Sequence, residues 1–221
     1  MAGGLKLSIY QLQDIFEHLG IVELLLAKLS CKEWAIQPKN PNIKCNDILF
    51  YGALRGNNEI CLLAKEWGAN EWNLMLWNAT YIGNKDLCVL AKKWGEESGT
   101  EMDWNNMLYG ASKSGNKELC ILAKKWGANN WNEMLWGASY NDHRELCELA
   151  KKWGEESGTR MYWNWMLWNA SFGGHRKICC LAKKWGEESG TEMDWNNMLL
   201  EASRGGHKEI CNLAREWGAI E

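Results

Sequence analysis

The stretch Ala202 to Ala219 reads A-S-R-G-G-H-K-E-I-C-N-L-A-R-E-W-G-A, and it decides the fold because the chain repeats it. Within it, Ile210, Leu213, Ala214 and Trp217 follow one another at i, i+3, i+4 and i+7, with Lys208, Asn212 and Arg215 on the opposite side. This is the pattern of an amphipathic helix with one buried stripe and one wet one. Gly218, directly after the tryptophan, supplies a left-handed residue that ends the helix, and basic residues in the last turn oppose the negative end of its dipole.

The ending L-C-x-L-A-K-K-W-G recurs with its glycine at Gly68, Gly95, Gly127, Gly154, Gly186 and Gly218, at spacings of 27, 32, 27, 32 and 32 residues. Cys61, Cys88, Cys120, Cys147, Cys179 and Cys211 keep the same series. So do the small residues Gly52, Ala79, Ala111, Ala138, Ala170 and Ala202, nine positions before them. Periods of this size mark solenoids, in which a unit buries its apolar face only by stacking on its neighbours. A shorter helix precedes each of these endings. It begins near W-N-x-M-L, carries the small residue where adjacent units approach, and ends at Gly83, Gly115 or Gly206. The expectation is an all-α chain with six helix-turn-helix units over residues 43–221.

Composition narrows the function. Of 221 residues, 46% are apolar, which is enough for a core, and 25 basic against 28 acidic side chains leave a net charge of −3. That balance gives no electrostatic support to nucleic-acid binding. No apolar run approaches the roughly 18 residues of a membrane span, and Met1 to Lys6 lacks the features of a signal peptide. A cytoplasmic or nuclear protein without a membrane partner is expected. Six of the nine cysteines sit at one repeated apolar position, which fits thiols packed in a core within a reducing compartment.

The repeat resembles the ankyrin repeat, whose later half reads A-A-x-x-G-H-x-E-I-V-x-x-L-x-x-x-G-A; the register holds from Ala202 through the G-H pair to Ala219. The T-P-L-H turn of that family is replaced by N-M-L-L, L-M-L-W or N-M-L-Y. Only three residues separate Gly68 from Trp72 and Gly127 from Trp131, against eight between Gly95 and Trp104. The resemblance therefore implies a divergent, nearly all-helical ankyrin-like solenoid whose β-fingers are reduced or absent.

Residues 5–36 stand outside the repeat. Ser8 and Gln11 have capping-box spacing, and Ile9, Leu12, Ile15, Phe16 and Leu19 form an apolar stripe that stops at Gly20. Ile21 to Trp34 is apolar around more than half of its circumference, and some 30 residues are too few for a core of their own, so the segment must dock on something. It is similar to an F-box, reading L-S-I-Y-Q-L-Q-D-I-F-E-H-L from Leu7 to Leu19, then Glu23-Leu24-Leu25 and Ser30-Cys31-Lys32-Glu33-Trp34. The resemblance implies docking on the Skp-type adaptor of a cullin ubiquitin ligase through Leu7, Leu12, Ile15, Phe16, Leu19, Leu24, Leu25 and Cys31. Residues 37–42, which hold both prolines, read as a linker. F-box proteins with ankyrin-like repeats are familiar from large DNA viruses of eukaryotes, which would place this one in the host cytoplasm.

Nothing in the sequence assembles chemistry. His143, His175 and His207 take the place that Asn57, Asn84 and Asn116 hold in other units, which points to turn capping. The cysteines lack metal-ligand spacing, and Glu96, Glu97, Glu155 and Glu156 recur as a solvated loop. No catalytic residue, metal or cofactor is expected. Trp67, Trp94, Trp126, Trp153, Trp185 and Trp217, and again Trp72, Trp104, Trp131, Trp163 and Trp195, repeat at fixed positions and read as stacking residues. Recognition belongs where copies differ. In the fifth unit Arg160, Tyr162, Trp165 and Phe172 replace acidic, amide or basic residues of other units, and Tyr81, Ile82 and Tyr140 stand at or beside the place of Phe172. Aromatic and arginine side chains are the usual carriers of binding energy. These residues are the expected site for an unknown target protein, in a non-catalytic substrate receptor of a Skp-cullin-F-box ligase. The alternative is a plain ankyrin-like scaffold whose N-terminal helices only cap the first repeat.

Overall fold

A computed structural model describes residues 45–220. The F-box-like segment, the linker and all eight expected adaptor-binding residues, Leu7 to Cys31, lie outside the described residues. Among the described residues the structure is all-helical, with twelve helices and no strand. They are α1 (Cys45–Leu54), α2 (Asn58–Glu66), α3 (Trp72–Tyr81), α4 (Lys85–Ser98), α5 (Trp104–Lys113), α6 (Lys117–Trp126), α7 (Trp131–Tyr140), α8 (Arg144–Ser157), α9 (Trp163–Gly173), α10 (Arg176–Glu188), α11 (Trp195–Arg204) and α12 (Lys208–Trp217). They fall into two compact units, one of residues 45–79 and 86–100, the other of 80–85 and 101–220. In the larger unit α5 packs on α6, α7 on α8, α9 on α10 and α11 on α12, while α5, α7, α9 and α11 lie side by side, the arrangement of a helical-repeat solenoid.

The M-L pairs of α5, α7 and α9 are what the stack buries. Met107, Leu108, Met134, Leu135, Met166 and Leu167 are all excluded from water, as are Ala111, Ala138 and Ala170 one turn later. The helices approach closely there. A Cβ on Gly137 would lie 2.9 Å from the Tyr109 carbonyl oxygen and 3.0 Å from the Lys113 nitrogen. From the second helices, Leu146, Cys147, Ala150 and Trp153 of α8 and their equivalents in α10 complete the core.

The asparagine at the second position of a first helix fastens the next connecting loop. Asn132 Oδ1 accepts from Tyr162 N at 2.8 Å while its Nδ2 donates to the Arg160 carbonyl at 2.9 Å. Asn164 does the same for Asp194 and Glu192. Across the shorter connections Asn105 Oδ1 accepts from both Asn129 N and Asn130 N, and in the smaller unit Asn46 Oδ1 accepts from Asn70 N and Glu71 N. These loops lack a strand partner, so the side chain supplies what a β-finger would otherwise give its backbone.

Tryptophan pairs form a second seam. Trp131 and Trp153 meet at 5.2 Å between ring centroids, and Trp163–Trp185 and Trp195–Trp217 repeat the geometry at 5.5 and 5.3 Å. The ammonium of Lys124, from the preceding repeat, lies 4.4 Å from the Trp153 ring and 5.4 Å from that of Trp131; Lys183 lies 4.7 and 5.3 Å from Trp217 and Trp195. The stacking role expected of the repeated tryptophans holds for these pairs.

Two local expectations are corrected. Gly127 and Gly218 end their helices in left-handed conformation, at φ 118° and 112°, but Gly95, Gly154 and Gly186 do not. There the helix runs one turn further, to a left-handed glycine at Gly99, Gly158 or Gly190. Glycine makes room there, since Met161 and Met193 from the long loops pack directly against Gly154 and Gly186. The glutamates of that extra turn are therefore helical, pairing with lysines at i−4 as Lys152 does with Glu156 at 3.8 Å. Second, asparagine and histidine differ in the turn. Asn57 and Asn116 cap their own helices, accepting from Ile60 N and Leu119 N at 3.0 Å. The longer imidazole makes no such cap. His143 and His175 instead place Nε2 3.2 Å from the Lys113 carbonyl and 2.9 Å from the Tyr140 carbonyl, at the end of the preceding first helix.

Replacing Asn132 by alanine leaves the Tyr162 amide and the Arg160 carbonyl without their partner. We expect a loss of about 1–3 kcal/mol in denaturant-induced unfolding, and faster amide exchange around residues 160–162.

Candidate functional site

Opposite the buried M-L pairs, each first helix turns a second face outward, built from the third, sixth and tenth residues after the loop. In α5 these are Asn106, Tyr109 and Lys113; in α7, Glu133, Trp136 and Tyr140; in α9, Trp165, Trp168 and Phe172; in α11, Asn197, Leu200 and Arg204. Spacings of three and four place them along one stripe. Trp136 and Trp165 are exposed by 41% and 43%, large values for tryptophan.

The rings are organised. Tyr109 meets Trp136 at 5.2 Å, Tyr140 stacks on Phe172 at 5.6 Å with 23° between planes, and Tyr162 meets Trp165 at 4.9 Å. Trp136 Nε1 donates to Asn169 Oδ1 at 2.5 Å, and Asn169 Nδ2 donates to the Trp165 carbonyl at 2.7 Å. Between these walls runs a groove of about 450 Å³, lined by Trp136, Tyr140, Trp165, Trp168, Asn169, Phe172 and Glu201. An adjoining cleft of about 390 Å³ shares Trp136 and adds Tyr109, Asp103, Glu133 and three asparagines. Burial, with the nearby Asp103 charge, holds the Glu133 carboxyl above the usual carboxylate range. Glu201 pairs with Arg204 at 2.6 Å, and Lys113 lies 5.6 Å from the Tyr140 ring.

The expected target-binding residues divide. Tyr140, Trp165 and Phe172 come together in the large groove. Arg160 and Tyr162 line a third cleft, of about 280 Å³, on the other side of Trp165 and Trp168. Tyr81 and Ile82 are exposed but line none of these clefts. Sequence reasoning missed Tyr109, Trp136 and Trp168. Their signal was present: the sixth position reads Phe50, Trp77, Tyr109, Trp136, Trp168 and Leu200, aromatic in all but the last.

α9 gives up stability for this face. Asp103, Asn130 and Asp194 cap α5, α7 and α11 by accepting from the backbone amide three residues on. Tyr162 stands in the same place and makes no cap. Its ring instead lies against Trp165.

Outside the groove the polar groups are quiet. Among the described residues no cluster of three or more histidine, cysteine or acidic side chains could hold a metal, and no helix is long and apolar enough to cross a membrane. Burial pushes the thiols of Cys61, Cys120 and Cys147 up to about 12, and that of Cys179 to about 11. Cys180, its neighbour, is exposed. Compared with protein-family models and with curated proteins, the chain matches none.

Two measurements check this description. Tyr162→Asp restores the missing cap and should raise the unfolding free energy by about 1 kcal/mol, read from the urea midpoint at unchanged slope. Under native conditions a thiol reagent such as Ellman's should modify Cys180 and leave Cys61, Cys120, Cys147 and Cys179 untouched until the protein unfolds.

Proposed function

We propose that the protein is a non-catalytic receptor that grips a target protein on its aromatic first-helix face and delivers it to a Skp-cullin-F-box ubiquitin ligase. The observation that carries the target half is the groove between Trp136 and Phe172. It holds large rings that stack neither in the core nor in the Trp–Lys seam and that are partly open to water. Such surface is costly to leave wet and gains on being covered, by about 25 cal/mol for each Å² of apolar area. The adaptor half rests on the F-box-like pattern from Leu7 to Trp34. A receptor of this kind needs no chemistry of its own. It raises the effective concentration of target lysines near a ubiquitin-loaded enzyme. An origin in a large DNA virus, with action in the host cytoplasm or nucleus, fits the same resemblance.

Mixing the full-length protein with excess Skp-type adaptor should give a co-eluting complex on size exclusion. Phe16→Glu or Leu25→Glu should weaken it by tenfold or more, since each buried side chain contributes about 1.5–3 kcal/mol. An unmodified protein that elutes apart from the adaptor would leave only a scaffold whose N-terminal helices cap the first repeat.

A further inference from the structure

The two clefts that share Trp136 are lined by aromatic rings, amides and three carboxylates, Asp103, Glu133 and Glu201, and no basic side chain lines either of them. The nearest cations are accounted for. Arg204, outside the groove, contacts Glu201 through one nitrogen and is 60% exposed, an ion pair of the kind worth little in water. Lys113 rests over the outer rings at 5.6 Å from Tyr140 and 5.9 Å from Tyr109, so these walls already hold one cation of the chain itself. Arg160 lines the neighbouring cleft, which shares Trp165 and Trp168 with the groove but not Glu201.

Trp136 and Asn169 on the groove wall are satisfied by each other. The occupant these walls suit is a flat cation that stacks on rings edged by acid.

We infer that the groove takes an extended peptide segment of the target that carries an arginine. This assignment rests on the reading of the aromatic face as the target surface. The guanidinium lies flat on an indole face and reaches Glu201, whose weak pairing with Arg204 it replaces. Arginine suits this better than lysine, because its planar, weakly hydrated head stacks on a ring and forks to a carboxylate at once.

The test uses the full-length, ¹⁵N-labelled protein and four capped pentapeptides that differ only in a central arginine, lysine, leucine or glutamate. Indole N–H resonances report binding, with Trp168→Phe assigning the Trp168 signal. The arginine peptide should shift the Trp136 and Trp168 signals and bind about tenfold tighter than the leucine or glutamate peptide. Glu201→Gln should shrink that margin several-fold. Trp165→Ala, which removes an exposed ring from the groove wall, should weaken the arginine peptide several-fold with an unchanged circular dichroism spectrum. If the lysine, leucine or glutamate peptide binds as tightly as the arginine peptide, or if neither substitution matters, the arginine assignment fails while the face remains a docking surface. If none of the four peptides moves the Trp136 and Trp168 signals, that surface fails as well.

Discussion

The asparagine at the second position of the first helices, as at Asn105, Asn132 and Asn164, is the constraint on which the repeat depends. Consecutive helix pairs are joined by loops that have no strand to pair with, and their amides and carbonyls still need partners. Asn132 and Asn164 meet the need with a donor and an acceptor at once, each reaching a loop some 30 residues on, while Asn105 spends its acceptor on two successive amides of a shorter loop. One side chain thus serves connections of two lengths. Its carbonyl oxygen needs only an amide within reach, whatever path the loop takes, and so the repeat tolerates periods of both 27 and 32 residues.

The tryptophan seam adds apolar area where the loops add hydrogen bonds. In the larger unit a Trp pair brackets each helix hairpin at its open end, and lysines of the preceding repeat cover several of these pairs, with Lys124 serving both Trp131 and Trp153. The same lysine reaches Glu156 at 3.4 Å, so it bridges ring and carboxylate of the next repeat. In long-loop repeats the indole N–H is also used: Trp72 donates to Ser98 and Trp131 to Ser157, both at 2.9 Å. The serine comes from the extra helical turn that Gly95 and Gly154 allow. Loop length, serine and methionine vary together, whereas the glycine after the tryptophan stands in every repeat.

The helices, their pairing and the core positions were legible from the sequence, since a period of about 30 residues and a 3.6-residue stripe report the two things that matter, stacking and burial. Legibility failed where one residue type does two jobs. Glycine after tryptophan looks like a helix stop, and is one at Gly127, yet at Gly154 it is the gap that admits Met161. Histidine in the turn looks like a longer asparagine, but its ring passes over the cap position and reaches the preceding repeat. The aromatic row through Trp136 and Trp168 was hidden for another reason: its position reads Phe50, Trp77, Tyr109, Trp136, Trp168 and Leu200, so it keeps aromatic character without keeping one residue type, and the groove opens along it.

Separating the work of stability from the work of display explains how α9 can differ so much from its sister helices. At residue 162 the backbone amide is held by Asn132 whatever side chain the position carries. A cap at that place supports only its own helix, worth about 1 kcal/mol, while the staple supports the join between repeats. Replacing the capping acid by Tyr162 therefore lowers the stability of one helix without loosening its neighbours, and it places a ring beside Trp165. Nearest-neighbour energetics make such a change affordable in a repeat array, because a local loss is shared with adjacent hairpins through interfaces the substitution does not touch. Variation is then free to gather on the outward stripe of the first helices, and the residues that differ most there, Trp165 and Phe172, are also the ones that shape the groove.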